Sequence, residues 1–461
     1  MPNRIDRATI GKDKGVQRRH SLDVSFFLPE NGWERNHNKR KRQTASEWRN
    51  FMNTGDTAFI ILCAAFVFLM TPGLAFFYGG LVRRKNVLNT MMSSFFIMGL
   101  SSAMWMLFGY SLSFSGNGTI IGNLKQIGLC AIGQGDLSGT IPTLVFVAFQ
   151  MMFAIITPAL ITGSVAGRMK FKALFWFIAL WLMVVYYPLA HMVWGQGGLL
   201  GEVMHSVDFA GGNVVHISSG VSGLVLSLML GSRRGYKEQT YRTHNIPFVL
   251  LGASILWFGW FGFNAGSALA ADGLAAHAFM TTNTSAAFAM LSWMLIDVLK
   301  EGKPTVVGAC TGGVLGLVAI TPGAGFVPIW SAIFIGAVVS PICYFMMSVV
   351  KNKFGYDDAL DAFGCHGIGG VWGGIATGIF ASQSVNDSLY WNGLIYGDWH
   401  LFGAQVLSIL ITIVIAIVGT LLCASIVKLF TPLRVEESEE RVGLDKSQHG
   451  EEAYPTFNGL D

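Results

Sequence analysis

Residues 402–430 read FGAQVLSILITIVIAIVGTLLCASIVKLF, and no charged side chain interrupts them before Lys428. A helix rises about 1.5 Å per residue and the hydrocarbon core of a bilayer is about 30 Å thick, so roughly 20 such residues span it. Runs of this kind recur at 56–82, 90–115, 140–165, 171–190, 212–232, 246–270, 278–300, 305–321, 327–350, 365–383 and 402–430. The reading is therefore an all-α integral membrane protein with eleven transmembrane helices. Composition points the same way: of 461 residues, 52% are hydrophobic and only 13% charged, with 56 Gly, 34 Phe and 13 Trp. A soluble domain carries about 25% charged residues and could not cover so much apolar surface. Disordered, collagenous and disulfide-scaffold classes are excluded on the same grounds.

Loop charges test the helix count, because Lys and Arg gather on the cytoplasmic side and successive loops alternate between faces. One loop set holds Arg83, Arg84, Lys85, Arg168, Lys170, Lys172, Arg233, Arg234, Lys237, Arg242, Lys300, Lys303, Lys351 and Lys353; the other holds only Lys125. This split puts the C-terminus in the cytoplasm and the start of the first helix outside. Residues 1–51 run against it, with basic side chains from Arg4 to Arg49 and the polar run NKRKRQ at 38–43. They lack the apolar stretch and small-residue cleavage site of a signal peptide. The expectation is that Met52, opening MNTGDTAF, is the natural start; a real basic extension is the alternative. Three regions follow: 1–51, a basic polar extension, disordered or upstream of the true start; 52–430, the eleven-helix domain; and 431–461, a cytoplasmic tail.

The chain also echoes itself. TPGLAFFYGG at 71–80 resembles FGWFGFNAGS at 258–267, and DFAGGNVVHISSG at 208–220 is answered by DAFGCHGIGG at 361–370. A separation of five helices turns one half over relative to the other, so the architecture reads as two five-helix inverted repeats plus a final helix, with a site near the midplane. The alternative is that Gly-rich membrane helices look alike because small residues favour close packing. Each half places one histidine at the equivalent point, His216 and His366. An ionisable side chain inside hydrocarbon is expensive and marks a pathway by default, though a lone one can be a satisfied packing residue. Two facing imidazoles can share a proton, one nitrogen donating while the other accepts. No third ligand but Cys365 stands near them, so no zinc site is expected.

Asp208 precedes the fifth helix, where a carboxylate can cap N–H groups and add negative field for a cation. Asp361 is assigned the inverted position before helix ten; Asp357 and Asp358 read as an inner loop and possible cap. Trp260, Phe263 and Ser267 share one face of helix six, as Phe149 and Phe153 do on helix three. Trp194 lies in the Gly-rich outer segment AHMVWGQGG. Such a stripe is usually core, but with a hydroxyl it also suits a small cation held by cation–π attraction and a hydrogen bond. Cys63, Cys130, Cys310, Cys343, Cys365 and Cys423 are scattered singly and signal no disulfide. The net charge of +4 resides in the chain start and loops, so no nucleic-acid partner is expected.

AHMVWG, DFAGGNVVHI, GWFGFNAGSA, GKPTVVGACTGG and DAFGCHGIGG together resemble the ammonium transporters of the bacterial Amt type, over essentially all of residues 52–461. The resemblance implies a homotrimer in the plasma membrane, one narrow pore per subunit, and ammonium uptake without a cofactor or metal. It implies that Phe149, Phe153, Trp194 and Ser267 form the outer substrate site and that Phe153 and Phe263 stack as a gate. His216 and His366 would be the proton relay, with Asp208, Trp260 and Asp361 in support. Ammonium would lose a proton below the outer site, ammonia would cross a dry pore, and the proton would pass through the histidines. AFQMMF departs from the family in placing Met151 and Met152 between the two Phe. The Rhesus-type branch lacks the Trp-plus-Ser outer site and is disfavoured. The tail LRVEESEERVGLDKSQHGEEAY resembles a segment that docks on inner loops, here those around Arg233 and Arg234, and is read by a PII-type signalling protein; a solvated acidic end is its plain alternative. An ammonium sensor with little flux is the rival reading, and no positioned nucleophile marks an enzyme.

Overall fold

The computed structural model describes residues 52–238 and 241–454. The expectations for residues 1–51 fall outside the described residues. Among those described, eleven long helical segments follow one another: α1 (Thr54–Leu81), α2 (Arg84–Phe114), α3 (Thr143–Val165), α4 (residues 171–194), α5 (Gly212–Leu230), α6 (Ile246–Gly266), α7 (Gly273–Glu301), α8 (Val306–Ile320), α9 (Ile329–Phe354), α10 (residues 363–380) and α11 (His400–Lys428). A short α12 (Glu437–Val442) lies in the tail. Helix starts are fixed by local chemistry. The Asn53 side chain accepts from the N–H groups of Gly55 and Asp56, Asp272 from Ala275, and Thr305 from Gly308, filling donors that a first turn leaves open.

Eight of the segments are long and apolar enough to cross a membrane, namely α1 to α6, α9 and α11, while α8 is apolar but shorter. α7 falls outside that set because it carries hydroxyls and meets protein rather than lipid along one side. Thr281 donates to Ala324 O, Ser285 to Gly316 O, and Ser340 of α9 returns a bond to Ala289 O, each at 2.7 Å; neighbouring carbonyls satisfy polar groups that lipid could not. The helical expectation needs one small amendment. Leu137–Ser138 pairs antiparallel with Ile141–Pro142 around Gly139, whose φ of 61° suits a residue without Cβ.

α1 and α6 form the most extensive helix pair. A Cβ on Gly252 would stand 2.3 Å from the backbone nitrogen of Phe77, so only glycine lets these backbones come so close. Large apolar side chains on the outside, among them Leu228, Leu410, Val414 and Val418, form a surface suited to hydrocarbon.

At the end that carries the basic loops, buried Asp357 organises the connections. Arg233 grips its carboxylate with Nε at 2.8 Å and Nη2 at 2.6 Å, and the Arg233 N–H adds a third bond. Arg168, fully buried, donates to the Asp357 carbonyl and holds Nη1 3.9 Å from the carboxylate. Burial pushes the Asp357 pKa up, but the Arg233 hydrogen bonds and charge outweigh it and hold the carboxyl below its ordinary range. A depressed folded pKa gives stability that is present above the unfolded value and lost as pH falls through the folded one.

Asp357→Asn leaves Arg168 and Arg233 without their anion. The expected loss is about 3–5 kcal/mol, read as a lower unfolding temperature of the detergent-solubilised protein at neutral pH, with the gap to wild type narrowing under strong acid. Asp387→Asn, at an exposed carboxylate, should leave the unfolding temperature unchanged.

Candidate functional site

α3 presents Phe149 and Phe153 one turn apart, and α6 presents Trp260 and Phe263. Their rings meet. Phe153 and Phe263 have centroids 4.4 Å apart, tilted by 42°; Phe149 and Trp194 approach Phe153 edge-on at 5.0 and 6.0 Å. Trp194 and Ser267 are half-buried, whereas Phe153 and Phe263 are buried. Phe149, expected beside the outer site, instead backs Phe153: it is fully buried and its ring packs on Gly266. Trp194 is not in a loop but on the last turn of α4, which ends where Gly195 turns extended. Its indole N–H donates to Asp208 O at 2.8 Å, leaving the ring face free of that bond. Ser267 Oγ donates to Phe263 O at 2.9 Å, so its lone pairs remain for a donor. Met152 is buried and Met151 half-buried, and the Phe149–Phe153 contact survives both.

Beneath these rings His216 and His366 lie with Nδ1 3.3 Å from Nδ1. The His216 ring stacks on Trp260 at 5.5 Å and on Phe263 at 6.1 Å. Trp260 in turn is fixed by its N–H to Thr321 Oγ1 at 2.9 Å, and Thr321 donates to Leu317 O. Both histidines occur in wide first turns, Gly212–Ile217 of α5 and Phe363–Ile368 of α10, the kind of turn often found at functional sites. A reciprocal crossing brings them together. Gly220, one turn after His216, faces Gly367, and a Cβ there would be 2.2 Å from its nitrogen; Gly370, one turn after His366, faces His216, with 3.1 Å to its Cβ.

The imidazoles border a chamber of only about 10 Å³ lined otherwise by apolar groups such as Leu74, Ile156 and Val314, room for about one water-sized molecule. His216 Nε2 has no protein partner. His366 also borders an inner cavity of about 470 Å³, with Tyr78, Arg83, Arg233, Tyr241 and Cys365 on its walls. It is thus shared by both spaces.

Asp208 caps α5 completely. Oδ1 accepts from Gly211 and Gly212 at 2.7 and 2.6 Å, and Oδ2 from Asn213 and Val214 at 2.7 and 3.4 Å. The assignment of Asp361 as its counterpart needs correction. Asp361 sits at φ 57° and pairs with Lys351 Nζ at 2.7 Å. Asp358 does the capping instead: its Oδ2 accepts from Phe363 N at 2.8 Å, five residues on, as Asp208 does from Asn213. Asp358 precedes His366 by the same eight residues that separate Asp208 from His216, and that spacing was the available signal. Tyr78, whose hydroxyl donates to Leu160 O at 3.2 Å, was quoted only as part of an echo, and Thr321 carried no signal.

The tail meets the basic loops, and at the Arg233–Arg234 loop it does so through Arg234. Glu440 accepts from Arg234 N at 2.6 Å and pairs with Arg434 at 2.8 Å. Lys85 donates to the Glu440 carbonyl. Asp445 Oδ1 accepts from Asn89 N at 2.8 Å, and Asn86 Oδ1 accepts from Leu444 N.

A sequence profile for the Ammonium Transporter Family matches residues 58–454. The "Ammonium transporter" of Bacillus subtilis (strain 168) is 51% identical over 405 residues, covering 87% of this chain and 99% of that one. The crystal structure of Saccharomyces cerevisiae Mep2 superposes with a TM-score of 0.80 at 36% identity, covering 90% of this chain and 94% of the other. A structure titled "Sensor Amt Protein" superposes with a TM-score of 0.79 at 27% identity, covering 87% and 100%.

Gly220→Ala forces α5 and α10 apart at the crossing, and overpacking of this kind costs about 1–3 kcal/mol. The purified variant should unfold at a lower temperature than wild type. Gly273→Ala, where a Cβ meets nothing within 4 Å, should not.

Proposed function

The chain belongs to the ammonium transporter family, a membrane protein of several apolar helices, and on that premise we propose that it takes up ammonium by separating ammonia from its proton. The observation that carries this reading is the His216–His366 contact at 3.3 Å beside a chamber for one small molecule, directly under a closed pair of phenyl rings. Ammonium is recruited by the faces of Trp194 and Phe153 and by the Ser267 lone pairs. Cation–π attraction at such a site is worth about 0.5–2 kcal/mol. The four N–H bonds on Asp208 occupy both its oxygens, so it holds the outer backbone and contributes field rather than taking the proton.

Moving the intact cation past Phe153 and Phe263 would strip its water in an apolar passage, at a cost that is large on every scale. Neutral ammonia passes when the rings part. The proton takes the imidazoles. With one proton between the two Nδ1 atoms, one ring has a bare Nε2 and the other an Nε2–H. A proton arriving on the bare Nε2 lets the shared proton shift across, and the far Nε2 then releases its own. Both rings end with tautomers exchanged and must reset before the next cycle.

The same reading includes eleven membrane crossings in two inverted five-helix repeats plus one, a homotrimer in the plasma membrane, an outer N-terminus, a cytoplasmic C-terminus and a PII-type protein on the inner face. Support for the tail side comes from its position against the inner loops through Glu440 and Asp445.

Purified protein in liposomes decides between transport and sensing: accumulation of labelled methylammonium is expected, and binding without accumulation would make it a sensor. His216→Ala and His366→Ala should each abolish ammonium-driven current or change ion selectivity while the protein still purifies as wild type does. Unchanged currents and selectivity in both would refute the relay. Trp194→Leu should raise the half-saturating ammonium concentration by about two- to thirtyfold.

A further inference from the structure

Among the described residues one more imidazole besides His216 and His366 is fully buried, and transport as described gives it no task. His191 stands one turn before Trp194 on α4 with no exposed surface. Its Nδ1 lies 2.9 Å from Ser113 O at the end of α2, and its Nε2 lies 2.5 Å from Gly118 O in the loop that follows. Both partners are backbone carbonyls, which only accept, so the ring donates to the one its tautomer selects and packs its other edge against the second.

The segment on the other side of that ring is packed just as closely. A Cβ on Gly195 would stand 2.4 Å from His191 Nδ1, so the imidazole lies directly against the turn that follows Trp194. Leu199 N donates to Thr119 O at 2.8 Å, which ties the same turn to the same loop a few residues further on. The loop is itself a folded unit. Gly122 N donates to Leu112 O, Asn123 N to Ser115 O, and the Ser111 and Ser115 hydroxyls both bond Asn123. His191 is the side chain that bolts this unit to α4, and the Trp194 indole is held from its far side by Asp208 O.

We propose that His191 is a positioning residue for the outer cation site: through Ser113 and Gly118 it braces the end of α4 and so sets the Trp194 ring against Phe153. The inference rests on the reading of Trp194 as part of the recruiting site. Attraction between a cation and a ring face depends on the cation lying over that face, so a displaced Trp194 weakens recruitment at low ammonium and leaves the pore below it intact.

The test is uptake by purified protein in liposomes over a range of ammonium concentrations, with His191→Phe, His191→Asn, Trp194→Leu and the double variant of His191→Phe with Trp194→Leu. Phenylalanine keeps the ring and removes both nitrogens; asparagine restores an N–H donor. His191→Phe should raise the half-saturating concentration about three- to tenfold with little change in maximal rate, and His191→Asn should recover part of the loss. In the Trp194→Leu background, His191→Phe should add nothing, because the residue acts through Trp194. Should His191→Phe fail to fold, His191→Asn alone and in the Trp194→Leu background carries the same comparison. A wild-type half-saturation in the His191 variants beside a shifted Trp194→Leu overturns the inference and leaves the recruitment site standing. Full additivity in the double variant, or a loss confined to maximal rate, also overturns it. An unshifted Trp194→Leu overturns the recruitment site itself, and the inference with it.

Discussion

Where α5 and α10 cross, the backbone of Gly220 lies on that of Gly367, and Gly370 takes the His216 Cβ and the Ile217 side chain against it. These contacts set the separation of the two imidazoles. Every other element of the site refers to this crossing. Trp260 and Phe263 reach His216 because α6 packs beside it, Phe153 is placed by closing on Phe263, and Trp194 by meeting Phe153. The first turns of both helices leave N–H groups that call for acceptors. Asp208 and Asp358 supply those acceptors from the chain itself, so the same carboxylates that make the crossing feasible also bring anionic groups near each end of the histidine pair.

What sequence could deliver was whatever short-range periodicity encodes. The apolar runs gave the order of the helices, and spacings of three and four residues put Phe149 with Phe153 and Trp260 with Phe263. The stretches AHMVWG, DFAGGNVVHI, GWFGFNAGSA and DAFGCHGIGG carried much of the ring set through resemblance, and the structure does bring Trp194, Phe153, Phe263, His216 and His366 into one column. Register was the weak point. Matching the two histidine stretches by their first aspartate picked Asp361, whereas matching them by distance to the histidine picks Asp358. Depth was another: a half-turn on a helix separates a ring that lines an opening from one that backs it, and nothing local in AFQMMF distinguishes Phe149 from Phe153. Residues 278–300 read as an apolar run, and the hydroxyls that lower the hydropathy of α7 are bonded to neighbouring carbonyls in the folded protein.

The end that carries the basic loops shows why loop charge is an incomplete guide to contact. Arg233 and Arg234 are neighbours and identical in chemistry, yet one is drawn inward by Asp357 and the other meets the tail through Glu440. Both acceptors are buried, but Arg233 uses its guanidinium, whereas Arg234 meets Glu440 through its backbone N–H and turns its guanidinium to exposed Glu437. Asp357 is enclosed with Arg168, so its charge needs a close partner, while Glu440 has the alternative of Arg434 and shares its two oxygens between them. A basic loop thus divides its work between holding the helices together and seating the tail that follows α11.

The cap on α2 has a consequence for how the protein is made. Asn89 N, in the first turns of the second helix, finds its acceptor in Asp445, and Asn86 receives the N–H of Leu444. At a synthesis rate of about 5–20 residues per second, the ribosome needs on the order of tens of seconds to travel from one partner to the other. Throughout that interval the Asn89 N–H lacks its Asp445 acceptor, which exists only once the segment after α11 has been made. The start of α2 is therefore completed after all the other long helices, and a chain cut short after α11 would lack both the Asp445 acceptor and the Leu444 donor that meet it.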